Sequence, residues 1–152
     1  MAYDVQVKDL PPQLALTVRR RASMGTISEA LGQAFAAIME CAVAGGAQYA
    51  GPPFALYPAE VTAEFDVVVC QPVAVEATGA GDVAAEEIAG GTVASTTHMG
   101  PYSGLGSAYG SLQAWMVAND KKPSGPCREV YLTEPGSVPD AELVTEVDWP
   151  FV

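Results

Sequence analysis

Leu31-Gly32-Gln33-Ala34-Phe35 recurs 74 residues later as Leu105-Gly106-Ser107-Ala108-Tyr109, and this recurrence decides the fold. At the same offset and without a gap, Val43-Ala44 falls on Val117-Ala118, Gly51-Pro52 on Gly125-Pro126, and Tyr57 on Tyr131. Chance supplies one such match; an ungapped series in constant order marks a repeated unit. Around the first copy, Thr26 and Glu29 stand at capping-box spacing. Ile27, Leu31, Phe35 (or Ala34), Ile38 and Ala42 then keep a helical period up to the stop at Gly45-Gly46. The second helix spans 105–119, with Leu105, Ala108, Tyr109, Leu112, Trp115 and Met116 along one stripe.

Strand signals surround both helices at 3–8, 13–21, 54–57, 64–70, 92–98, 127–133 and 142–149. The predicted fold class is α+β: a tandem β-α-β-β repeat with pseudo-twofold symmetry. Its sheet is mainly antiparallel, with two helices on one face and a ligand cleft between them. Residues 1–152 then form a single domain, with half-repeats at about 1–71 and 88–152 and an Ala-, Gly- and acid-rich connection at 72–87.

The last run, Cys127-Arg128-Glu129-Val130-Tyr131-Leu132-Thr133, carries the chemistry. Gly125-Pro126 and Pro135-Gly136 bound it as a strand. Alternation puts Cys127, Glu129, Tyr131 and Thr133 on one face and Arg128, Val130 and Leu132 on the other. An ionised Glu129 beside an aromatic ring is costly unless paired. Its partner is either a neighbouring tyrosine or backbone amide, or a cationic ligand; both readings stand. The outward Val130 and Leu132 leave a second apolar face to cover, which keeps a homodimer open.

Composition narrows the partners. Eighteen acids against 7 bases give a net charge of −11, which repels phosphate backbones and anionic lipid. Neither nucleic acid nor a membrane is an expected direct partner. Cys41, Cys70 and Cys127 are odd in number and form no CxxC, and His98 is the single histidine. No structural zinc site, other cofactor or disulfide framework is expected, and a cytoplasmic setting follows. Met1-Ala2-Tyr3-Asp4 opens no signal peptide, and the apolar stretch 30–44 is interrupted by Gln33 and Glu40.

Comparing the halves shows what the second has gained. Ala55 falls on Glu129, Phe35 on Tyr109 and Cys41 on Trp115; with a shift of 79, Arg19 falls on His98. An acid, a tyrosine and a tryptophan thus appear where the scaffold manages without them. Tyr109 and Trp115 also suit a core stripe, His98 a strand-end hydrogen bond, and Phe54, Tyr57 and Tyr102 a rim.

Six motifs, in order, resemble the GyrI-like effector-binding family across nearly the whole chain. They are Pro53-Phe54-x-x-Tyr57, Phe65-Asp66-Val67-x-Val69, Gly90-Gly91-x-Val93-Ala94, His98-x-Gly100-Pro101-Tyr102-x-Gly104-Leu105, Glu129-x-Tyr131-x-x-x-Pro135 and Thr145-Glu146-Val147. The resemblance implies the doubled fold and the ligand-binding half of multidrug-responsive regulators, or their stand-alone relatives. It implies bulky hydrophobic, often cationic aromatic guests near a buried glutamate, the place Glu129 occupies with Tyr131 beside it. No helix-turn-helix precedes the first strand here, and Gln71-Pro72 stands where many relatives have an aromatic before the proline.

Three functions are weighed. The first is a stand-alone binding protein whose ligand-binding residues are Glu129, Trp115, Tyr131, Tyr109, Tyr102, Phe54, Tyr57 and His98. The second, implied by some stand-alone relatives, is a hydrolase opening cyclopropanoid cyclohexadienone genotoxins. There Glu129 is the general base, and Tyr131, Tyr102 or His98 hydrogen-bonds the carbonyl oxygen. The third is an acidic, gyrase-inhibitor-type protein with DNA gyrase as partner, which rests on net charge alone.

Overall fold

The computed structural model describes residues 3–58, 62–133 and 137–152. Pro135-Gly136, the expected end of the Glu129 strand, lies outside them. Eight strands and two helices follow one another as β1 (Gln6–Leu10), β2 (Gln13–Ala22), α1 (Ile27–Gly45), β3 (Phe54–Tyr57), β4 (Phe65–Pro72), β5 (Ala84–Ile88), β6 (Gly91–Met99), α2 (Leu105–Ala118), β7 (Cys127–Tyr131) and β8 (Val144–Pro150). The class is α+β, and every strand pairing within the two compact units is antiparallel.

The α1 unit spans Pro11–Gly90, and the α2 unit joins β1 to Gly91–Val152. Their strand orders correspond: β5-β2-β4-β3 in one and β1-β6-β8-β7 in the other. In each, a strand leads into the helix, a second follows it, and a third inserts between them. Each helix packs on strands of its own unit, α1 on β2 and β4, α2 on β6 and β8.

Three local expectations are corrected. Residues 84–87, assigned to the connection, join Ile88 in β5, which pairs with β2 from Gln13↔Ile88 to Thr17↔Ala84. The first strand begins at Gln6 rather than Tyr3 and pairs with β6 of the α2 unit. The capping box does not form either. Thr26 has helical backbone angles, and its Oγ1 accepts the Ser23 N–H at 2.9 Å instead of capping the helix. The stop is as expected: Gly46 takes φ +67, which glycine adopts without a Cβ clash.

At 19 residues α1 is long and apolar enough by composition to cross a membrane, the one such helix among the described residues. Its buried side chains, Ala34, Ile38 and Ala42, recur at helical spacing and face β2 and β4. In the α2 unit the core gathers Ala94, Leu105, Ala108, Leu112, Met116, Cys127, Val147 and Trp149 under α2.

Candidate functional site

Register decides which side chains meet. In the α2 unit Glu129 lies opposite Val147, and Tyr131 opposite Thr145. On the other side of β8, Ala94, Thr96 and His98 pair with Trp149, Val147 and Thr145. Cross-strand neighbours share a face, so Glu129, Tyr131, His98, Thr145 and Trp149 all lie on the side covered by α2.

Glu129 is 9% exposed. The Tyr109 hydroxyl, reaching in from α2, donates to Oε2 at 2.5 Å, and the Tyr131 hydroxyl donates to Oε1 at 3.1 Å. Burial raises the carboxyl above its ordinary value, and the two tyrosines pull back against that rise without cancelling it. The sequence offered tyrosine or ligand as partner. The structure places two tyrosines there, and Glu129 makes no ion pair among the described residues.

Aromatic rings surround the acid. Tyr102 stands edge-on to Tyr131, with centroids 5.9 Å apart and planes at 71°. Its phenol is pushed up by burial and then by the charge of Glu129, so the two groups lie within electrostatic reach. Tyr109 meets Trp149 edge-on at 6.1 Å. Cys127, on the same strand face, is pushed up to about 12 by burial and then by Glu129; its thiol stays protonated and is no nucleophile.

The other expected residues have partners of their own. The Trp115 ring packs on Phe151 at 5.3 Å, and its position is about 9 Å along the helix from Tyr109. Both nitrogens of His98 are engaged: Tyr3 Oη lies 2.8 Å from Nδ1 and the Pro101 carbonyl 3.0 Å from Nε2. A carbonyl only accepts, so Nε2 carries the hydrogen and Nδ1 accepts from the tyrosine. Phe54 and Tyr57 belong to the α1 unit. Both are buried, and the Tyr57 ring meets Phe65 at 6.2 Å.

Trp149, Thr145 and Tyr3 complete this environment; Thr145 entered the sequence reading only through the Thr145-Glu146-Val147 motif, and Trp149 and Tyr3 were not singled out. Thr145-x-Val147-x-Trp149 alternates as a buried face would, a signal available beforehand; Tyr3 gave none. Thr145 Oγ1 and Trp149 Nε1 are buried without a hydrogen-bond partner among the described residues. Two hollows lie apart from Glu129. One of about 530 Å³ includes Leu14, Val73, Glu76, Glu86 and Glu87, and one of about 410 Å³ includes Tyr3, Gln6, Lys8, Ser95 and Thr97. No group of three or more His, Cys, Asp or Glu side chains is arranged for a metal ion among the described residues.

The opposite face of this sheet is charged rather than apolar. Lys8 Nζ bonds Glu146 Oε1 at 2.8 Å, and Arg128 and Ser95 flank Asp148 in register. Asp148 is 1% exposed; neither oxygen has a hydrogen bond of ordinary geometry among the described residues, yet Glu146 and Ser95 lie close enough to act on the carboxyl. Burial and then Glu146 push its carboxyl up to about 7. Val130 on this face is also buried, and Leu132 beyond β7 is half exposed.

Comparison with known proteins follows from this geometry. Searching curated protein sequences finds no match. Among solved structures, the C-terminal domain of EcmrR superposes with a TM-score of 0.88 at 23% identity, covering 100% of this chain and 99% of that one. EcmrR in a complex with DNA gives 0.86 at 25%, covering 99% of this chain, which spans 58% of that longer one. SAV2435 bound to tetraphenylphosphonium gives 0.67 at 12%, and a hydrolase from Listeria innocua 0.70 at 12%; this chain is covered to 100% and 99%, those to 94% and 93%. The sequence pattern of the GyrI-like small molecule binding domain matches residues 3–152, nearly the full length and all the elements just described. The chain belongs to the GyrI-like small-molecule-binding domain family.

Proposed function

We propose that this small-molecule-binding domain captures bulky hydrophobic cations, with Glu129 as counter-charge and tyrosine rings as walls. One observation carries this: a carboxyl group 9% exposed, held by two tyrosine hydroxyls and paired with no cationic side chain among the described residues. An ionised carboxylate there is destabilised by desolvation, and a lipophilic cation relieves that cost while stacking on Tyr102, Tyr109 or Tyr131. Trp115, Phe54 and Tyr57 remain candidate contacts, whereas both ring nitrogens of His98 are already engaged. The tetraphenylphosphonium held by SAV2435 is a guest of this class and supports the reading at the level of fold.

Titrating tetraphenylphosphonium against uncharged triphenylphosphine oxide tests it. Glu129→Gln weakens the cation by about tenfold or more and the neutral compound by less than about twofold. Equal losses would remove the electrostatic role. Because a cation favours the ionised carboxyl, wild-type affinity for it rises with pH through the raised Glu129 titration and then levels off.

The raised Glu129 beside phenolic donors also favours a second reading, hydrolysis of a cyclopropanoid cyclohexadienone. Glu129 takes a proton from water and the oxygen bonds to a cyclopropane carbon. The ring C–C bond then breaks, and its electrons pass to the dienone oxygen as a phenolate hydrogen-bonded by Tyr131 or Tyr102. His98 is less suited as that donor, since its Nε2–H already serves Pro101. Ring-opened product no faster than in buffer sinks this second reading.

A further inference from the structure

The motif His98-Met99-Gly100-Pro101-Tyr102-Ser103-Gly104 is not accounted for by Glu129 and its tyrosines alone. The structure winds this loop around the His98 ring. Nε2–H donates to the Pro101 carbonyl at 3.0 Å. Gly104 passes so close that a Cβ there would lie 2.9 Å from His98 Cε1 and 3.2 Å from Nε2. Gly100 takes φ +128 while its N–H donates to the Leu143 carbonyl at 2.8 Å. On the far side of the ring Nδ1 accepts from Tyr3 Oη at 2.8 Å, and Thr96 Oγ1 holds the same N-terminal segment through the Asp4 carbonyl at 2.8 Å. The loop ends by delivering Tyr102, 38% exposed, edge-on to Tyr131.

We propose that Tyr3 and His98 are positioning residues of the Glu129 site, setting through the 99–104 loop where the Tyr102 ring stands against a guest. The inference rests on Glu129 as the guest's anchor, but neither Tyr3 nor His98 touches the guest in it. Pro101, Tyr102 and Ser103 are exposed and contribute little packing of their own, so the two hydrogen bonds of the His98 ring hold the loop in register. The coupling is reciprocal: a guest pressed on Tyr102 stabilises the Tyr3–His98 contact.

The test is a double-mutant cycle, titrating tetraphenylphosphonium and triphenylphosphine oxide into wild type, Tyr3→Phe, Tyr102→Ala and the double variant. Tyr3→Phe keeps the ring and removes only the hydroxyl. It weakens both probes about fivefold, the size of one lost hydrogen bond, and adds no further loss once Tyr102 is alanine. An equal loss in both backgrounds, or none in either, overturns the proposal. His98→Gln, which keeps an amide donor for the Pro101 carbonyl, retains more affinity than His98→Phe; the reverse order counts against it. Hydrogen exchange at Gly104, whose N–H donates to the Pro101 carbonyl at 3.0 Å, reads the loop without any guest. Tyr3→Phe speeds it by about threefold or more, and unchanged exchange refutes the relay. Glu129→Gln judges the anchor separately: if it fails to separate the two probes, that reading falls while the Tyr3–Tyr102 coupling is still measured with either.

Discussion

Ala55 and Glu129 occupy corresponding places in units with the same strand order, and they face the same kind of neighbour. Ala55 lies opposite Val69 on β4, Glu129 opposite Val147 on β8, and both valines are fully buried. One unit closes this position with a methyl group at 0% exposure, the other with a carboxyl at 9%. The corresponding helix residue is Phe35 in the α1 unit and Tyr109 in the α2 unit, so acid and hydroxyl occur together, in one unit only. The lesson is that the scaffold stands without the acid. The acid's cost is tolerated only where phenolic donors were built in beside it.

The severest way to break that comparison is to write the acid into the other unit. Ala55→Glu buries a carboxylate where the sequence-equivalent helix residue is Phe35, and costs the α1 unit about 4 kcal/mol or more. Urea unfolding followed by circular dichroism reads this; a loss under about 1 kcal/mol shows that the α1 unit accepts the acid as readily.

A second difference lies in Asp148. Its folded value, about 7, stands above the ordinary carboxyl value. The stability it contributes is therefore fully present below about pH 4 and is lost as pH rises through about 7. Relative to Asp148→Asn, wild type loses on the order of 4 kcal/mol over that window. Both tryptophans, Trp115 and Trp149, lie in the α2 unit, so tryptophan fluorescence during urea unfolding isolates the effect. A wild type as steady with pH as the variant contradicts a buried, proton-holding Asp148.

The mildest test makes Tyr109 resemble its counterpart. Tyr109→Phe removes the hydrogen bond to Oε2, which lowers the Glu129 pKa, and so raises that pKa further. Tetraphenylphosphonium binding at neutral pH weakens by about threefold, and its rise with pH moves to higher pH. A pH profile left in place shows that Tyr109 does not tune the acid.

Much of this was legible beforehand, for definite reasons. The two helices were legible from their stripes, in which Ala34 and Ala108 are small residues, each 0% exposed. Glu129 was visible as an acid in a β-branched and aromatic run. The strand β5 was not: Ala84-Ala85-Glu86-Glu87-Ile88 has poor strand propensity and is held by its ladder to β2. Nor was the capping oxygen of Thr26, which turned back to Ser23. Trp115 read as a wall of the site because Cys41 stands at its counterpart, yet its ring partner is Phe151 near the chain's end.

By itself the sequence determined the doubled order of strands and helices, the face on which Glu129 lies, and the family, because period and residue type are local properties of a chain. Only the tertiary structure decided that Tyr109 and Tyr131 both close on that acid and that His98 holds the 99–104 loop rather than standing free. It also decided that Asp148 is sealed on the opposite face. Hydrogen-bond partners and burial arise between residues far apart in the chain, where register and packing, not spacing, choose the neighbour.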